Sequence, residues 1–170
     1  MRKLHEDEAS AVVDRIRWLC RLAEWLRVPV VVTEEEPALN GETATPVRDA
    51  LPAGTIRHVK PVFDLAACPE ILADVSHPGR ETIVVCGLET DVCVAQSALG
   101  LLEDGKRVFV VEDAVASPGT AHEQGLARMS RGGIDLIGLK GLAYEWLRTV
   151  ERATEFGVAT QRDAPDGIVL

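Results

Sequence analysis

Five short apolar runs, rich in β-branched residues and separated by helical stretches, constrain this chain more than any other feature. They lie at residues 28–33, 56–59, 82–86, 108–111 and 134–137. Each is too short for a helix, and those at 28–33, 82–86 and 108–111 are too continuously apolar for a strand with one face in water. Between them lie helical patterns at residues 8–27, 66–75, 91–103, 120–131 and 142–151. On the first of these, Val13, Ile16, Cys20, Ala23 and Leu26 recur at helical spacing, with Asp14, Arg15, Arg17, Arg21 and Glu24 on the other face. Residues 34–52 read as a surface loop with a helical turn, and His77-Pro78-Gly79 as a turn. Buried strands alternating with helices imply an α/β chain: a three-layer, mostly parallel sheet with helices on both faces. Ligands of such sheets bind beyond the carboxyl ends of the strands. Here that means where Thr33, Cys86 and Val111 hand over to loops.

The 170 residues fit one domain, residues 1–170, and no linker or repeat divides them. Apolar residues make up 46% and charged residues 26%, enough for an ordinary core. Acidic residues outnumber basic ones by 27 to 18, a formal charge of −9, without a basic run. That balance argues against nucleic acid and anionic membrane as partners and serves to keep the protein in solution. The longest apolar run is far short of a membrane span. Cys20, Cys68, Cys86 and Cys93 form no CxxC pair, and His5, His58, His77 and His122 are scattered. The expectation is free thiols in a reducing cytoplasm, with no metal and no cofactor.

The segment Gly87-Leu88-Glu89-Thr90-Asp91-Val92-Cys93-Val94 carries the chemistry. A strand ends, a turn opens at Gly87, and a helix is expected near Asp91. Cys93 then sits in the first turn, where free N–H groups and the positive helix end favour a thiolate. On spacing alone, a small cysteine packed under the helix is as good a reading. The segment resembles the nucleophile turn of the isochorismatase-like cysteine hydrolases. The likeness continues through an alanine-containing helix, Gly105, the run 108–111 and Asp113-Ala114, and covers roughly residues 9–150. Upstream, Thr33-Glu34-Glu35-Glu36-Pro37 with Gly41 and Thr43 resembles the branch without a nicotinamidase metal site.

The resemblance implies roles. Cys93 would be the nucleophile. Lys60, in His58-Val59-Lys60-Pro61-Val62-Phe63, would be the catalytic lysine rather than an ordinary surface one. The backbone N–H groups of Glu89 and Cys93 would hold the oxyanion, with a cis peptide before Glu89. The family's acid-base aspartate, at the end of a first strand, has no counterpart. Neither Asp7 nor Asp14 stands in the right context. Glu34 is the best remaining carboxylate, as an acid-base substitute or as a solvated member of its run. Asp113 is expected to cap a turn, Cys20 and Cys86 to lie in the core, and Trp18, Trp25 and Trp146 to pack.

The missing strand would leave a slot between the second strand and the one leading to the nucleophile. A truncated domain is therefore expected, with Met1 in the loop before the first helix. Residues 167–170 or a partner chain are the other candidates to fill the slot. Two functions follow. One is a hydrolase acting on a small C–N substrate through a thioester. The other is a catalytically silent family member, acting as a binding module or subunit. Either would be a homo-oligomer by resemblance.

Overall fold

The first helix, α1 (Glu6–Leu26), has Glu6, Asp7 and Glu8 in its first turn, where negative charge meets the positive helix end. The computed structural model describes residues 4–76, 79–160 and 164–168, so Met1 and the His77-Pro78 part of the expected turn lie outside them. The buried stripe of α1 is Val12, Trp18, Leu19, Cys20, Leu22 and Ala23. It is wider than the expected one and displaced from it, because α1 packs on the long central strand and on α7 at once. Arg27 closes the helix in the left-handed region, at φ 56°, and the Val28 N–H donates to the Ala23 carbonyl at 2.8 Å.

That cap shifts the first strand. Val28 is tied to the helix end, so β1 runs from Val31 to Glu35 rather than over 28–33. Two short helices follow, α2 (Pro37–Asn40) and α3 (Thr45–Arg48), in place of a loop with one turn. Strand β2 (Ile56–Lys60) lies parallel to β1, in a register from Val31 opposite Ile56 to Glu35 opposite Lys60. A 3-10 turn (Leu65–Ala67) and α4 (Pro69–Val75) lead to β3 (Thr82–Leu88). Then come α5 (Ala95–Glu103), β4 (Arg107–Ala116), α6 (Ala121–Arg131) and β5 (Asp135–Ile137). The last expected helix is two, α7 (Leu139–Leu147) and α8 (Val150–Thr160), broken at Arg148 with φ 66°.

All observed strand pairs are parallel, but they fall into two groups, β1-β2 and β3-β4-β5. Among the described residues β1 and β3 each pair along one edge only. The structure corrects the expectation that 28–33 and 82–86 are buried: β1 is half-buried throughout, as are Ile83, Val84 and Val85. The central strand β4, paired on both edges, has Val108, Val110 and Val111 at 0–2% exposure.

Each face of the sheet has its own core. Trp18, Leu22, Val111, Leu139, Leu147 and Phe156 pack on one side. Ile71, Ala98, Leu101, Val108, Val110 and Met129 pack on the other. Val110 and Val111 enter opposite cores because successive strand side chains alternate. Trp18 meets Phe156 edge-on, with centroids 5.3 Å apart. Ile168 belongs to the first core and is in no strand; Val169 and Leu170 lie outside the described residues. No helix among the described residues is long and apolar enough to cross a membrane.

Candidate active site

Beyond the carboxyl end of β3 the chain turns sharply. Gly87 has φ 126°, a conformation that excludes most side chains, and the Leu88–Glu89 peptide is cis. The next turn, Thr90–Val94, is a π-helix rather than the expected first turn of an α-helix. Cys93 sits inside it, and α5 begins only at Ala95.

This turn is held from two other elements. Thr90 is fully buried, and its Oγ1 lies 2.9 Å from His122 Nδ1 on α6. Ser117, just past β4, donates its hydroxyl to Asp91 Oδ1 at 2.6 Å. Neither contact was anticipated from sequence. The pairs are 26 and 32 residues apart, and no local pattern joins them. Gly125 completes the support, because α6 passes so close that a Cβ there would lie 2.9 Å from the Asp91 Cα and N. We expect Gly125→Ala to cost about 1–3 kcal/mol by overpacking against backbone. It should also slow alkylation of Cys93 by displacing its turn. Urea unfolding and labelling rates check this; an unchanged rate would show that the turn does not depend on α6.

Lys60 ends β2 and is 2% exposed, so it is no surface lysine. Its Nζ donates to the Val62 and Phe63 carbonyls at 2.7 and 2.9 Å and lies 3.7 Å from Cys93 Sγ. Among the described residues no carboxylate pairs with it. Ser97 on α5 ties the arrangement together, donating to the Phe63 carbonyl at 3.1 Å and accepting the Leu65 N–H at 3.0 Å. The helix that follows Cys93 thus also fixes the loop that holds Lys60.

Cys93 is half-buried. Burial pushes its thiol above the ordinary value, Lys60 pulls it down by charge and hydrogen bond, and Glu35 and Glu89 push it up again. The net direction is upward, where the sequence led us to expect a lowered thiol. The reason is desolvation plus two carboxylates. The structural thiols differ. Burial raises Cys20 to about 11, and burial plus the neighbouring Cys20 raises Cys86 to about 12.

Glu34 lies within β1 rather than at its exit, and one of its carboxylate oxygens is engaged. Glu34 Oε1 accepts the Thr43 hydroxyl at 2.6 Å and its N–H at 2.8 Å. These bonds hold its pKa below the usual carboxylate range. Asp113 accepts the Leu139 N–H at 2.8 Å, capping the start of α7. It lies within β4 rather than after it, and Arg15 pairs with it at 3.3 Å. Trp18 and Trp25 both pack on Phe156. No three His, Cys, Asp or Glu among the described residues are grouped to hold a metal.

Parallel strands, with cores on both faces of β3-β4-β5 and with Cys93 and the buried Lys60 together beyond the strand ends, describe an isochorismatase-like α/β fold. The structure is similar to the MAR1 ribonuclease of Caenorhabditis elegans, with a TM-score of 0.83, 24% identity, and 95% of this chain and 84% of that one covered. It is likewise similar to the Escherichia coli YcaC gene product, an octameric hydrolase of unknown specificity, with a TM-score of 0.85, 23% identity, and 97% and 81% covered.

Residues 2–140 match the isochorismatase domain, and the chain belongs to the isochorismatase family. Isochorismatase family protein 2A of Dictyostelium discoideum is 28% identical over 130 residues, 72% of this chain and 65% of that protein. Isochorismatase domain-containing protein 2 of Xenopus laevis is 32% identical over 132 residues, 76% of this chain and 62% of that protein. The chain thus spans less than two-thirds of the length of these relatives.

Proposed function

We propose that the chain is a hydrolase of small, non-peptide C–N substrates that works through a thioester on Cys93. The observation that carries this reading is the 3.7 Å contact between Cys93 Sγ and the buried Lys60 Nζ. A buried ammonium without a carboxylate partner is costly unless it serves a purpose, and a thiolate is the anion within its reach.

In this reading Cys93 Sγ attacks the carbonyl carbon and forms a C–S bond. The Glu89 and Cys93 backbone N–H groups hold the oxyanion. The C–N bond breaks, and the amine leaves with a proton. Water then attacks the thioester, the C–S bond breaks, and carboxylate and thiol are released. Glu34 was one candidate for the proton. Its engagement with Thr43 and its lowered pKa suit an ionised anchor better than a donor. Lys60 is therefore the group this mechanism relies on to pass the proton. By its likeness to the octameric YcaC protein, we further propose a homo-oligomer.

The upward displacement of the Cys93 thiol favours a second reading, a silent binding module. Acid quenching of the protein during incubation with a panel of small primary amides, followed by peptide mass mapping, separates the two. The hydrolase reading expects an acyl adduct on Cys93 and none on Cys20, Cys68 or Cys86. Iodoacetamide should also modify Cys93 faster than those three. An inert Cys93 in both experiments would leave the silent module standing.

A further inference from the structure

We propose that Glu35 sets the substrate class of this site, selecting substrates that carry a cationic or hydrogen-bond-donating group beside the scissile carbonyl and rejecting carboxylates. The inference rests on the reading of Cys93 as the reacting group, and takes it a step further.

The geometry begins with the strand pair. Glu35 is the last residue of β1 and stands directly opposite Lys60, the last residue of β2. Opposed residues of a parallel pair project from the same face of the sheet, so Glu35 shares the Lys60 face and Glu34 takes the other. Lys60 spans from there to Cys93. Glu35 therefore stands on the reacting side, and its charge is felt at the Cys93 thiol.

The carboxylate is also held in place. Asn40, at the end of α2, donates its side-chain amide to Glu35 Oε2 at 2.9 Å and to the Glu35 carbonyl at 3.3 Å. The remaining oxygen has no partner among the described residues. A half-buried carboxylate, fixed by one oxygen and open at the other, is suited to bind an ammonium or amidinium group.

The charges around the thiol have a definite sign. Lys60 contributes +1, while Glu35 and Glu89 contribute −1 each, giving −1 with Cys93 protonated and −2 as the thiolate. The ammonium of Lys60 cannot swing out to meet an anionic substrate without giving up two carbonyl bonds. Arg48 and Arg57 act on Glu34, on the far face of β1. An incoming carboxylate thus meets like charge, and a cation meets opposite charge.

Three alkylating reagents test this without any substrate: neutral iodoacetamide, anionic iodoacetate and cationic 2-bromoethylamine. Their rates on Cys93 are read by peptide mapping at low salt and normalised to their rates on 2-mercaptoethanol. The expected result is a preference for the cationic over the anionic reagent of about fivefold or more. The preference should collapse toward one in Glu35→Gln and survive in Glu35→Asp, which keeps the charge. A preference unchanged by Glu35→Gln, or a wild-type preference for iodoacetate, would overturn the assignment while leaving Cys93 as nucleophile. Failure of all three reagents at Cys93 would instead overturn the nucleophile reading, and this inference with it.

Discussion

Cys93→Ala should lower turnover of any amide the wild-type protein hydrolyses by about 1,000-fold or more, while leaving the fold intact. The size follows from the proposed role. A covalent nucleophile is needed in both halves of the reaction, so removing it leaves only what binding and the oxyanion hole contribute. The intact fold follows from position. Cys93 is half-buried in a π turn and belongs to neither core, unlike Val94 and Ala95 beside it. Losing one sulfur at such a place costs about 1 kcal/mol or less. Circular dichroism and thermal unfolding should overlay on wild type while the acyl adduct disappears. Cys93→Ser keeps the shape but supplies an alcohol of far higher pKa, and should be nearly as inactive. Activity within tenfold of wild type in the alanine variant would remove Cys93 from the chemistry.

The layering of the fold was legible in the sequence because it depends on short-range pattern. The runs at 56–59, 82–86, 108–111 and 134–137 each seeded an observed strand, and the order of elements followed. Phase was not legible. The strand expected at 28–33 begins three residues later, because the left-handed cap at Arg27 ties Val28 to the helix. That shift carries β1 through to Glu35 and sets Glu35 opposite Lys60. A strand reading that stops at Thr33 cannot say which of the glutamates that follow faces the thiol.

Contacts between distant residues were equally hidden. Thr90 with His122, Asp91 with Ser117 and Ser97 with the Lys60 loop join pieces that no periodicity relates. The turn that carries Cys93, and Lys60 with it, were singled out through resemblance of short segments, where residue identity matters more than pattern. Their separation of 3.7 Å is a product of the whole fold. The net effect on the thiol needed the structure as well, since burial and Glu35 oppose Lys60 there.

Lys60→Met separates the lysine's part in the fold from the part proposed for it in the chemistry. Methionine fills much of the same channel with an unbranched apolar side chain, so little packing is lost. What disappears is the ammonium. The Val62 and Phe63 carbonyls lose a charged donor each, at 2.7 and 2.9 Å. Relief from burying the charge offsets part of that loss. We expect a net destabilisation of about 2–4 kcal/mol, and hence a fall in Tm of roughly 5–15 °C for a domain of this size. The thiol responds in a calculable direction. Lys60 favours the thiolate by charge and hydrogen bond, so its removal raises the Cys93 pKa further. Below that pKa the thiolate fraction falls as the pKa rises, so alkylation near neutral pH should slow. The pH–rate curve should move to higher pH, opposite to the movement expected for Glu35→Gln, which removes a charge that raises the thiol. Two variants that displace one titration in opposite directions cannot both act through general loosening of the fold. A Lys60→Met protein with the wild-type Tm and the wild-type pH–rate curve would place Lys60 outside both the site and the fold's support.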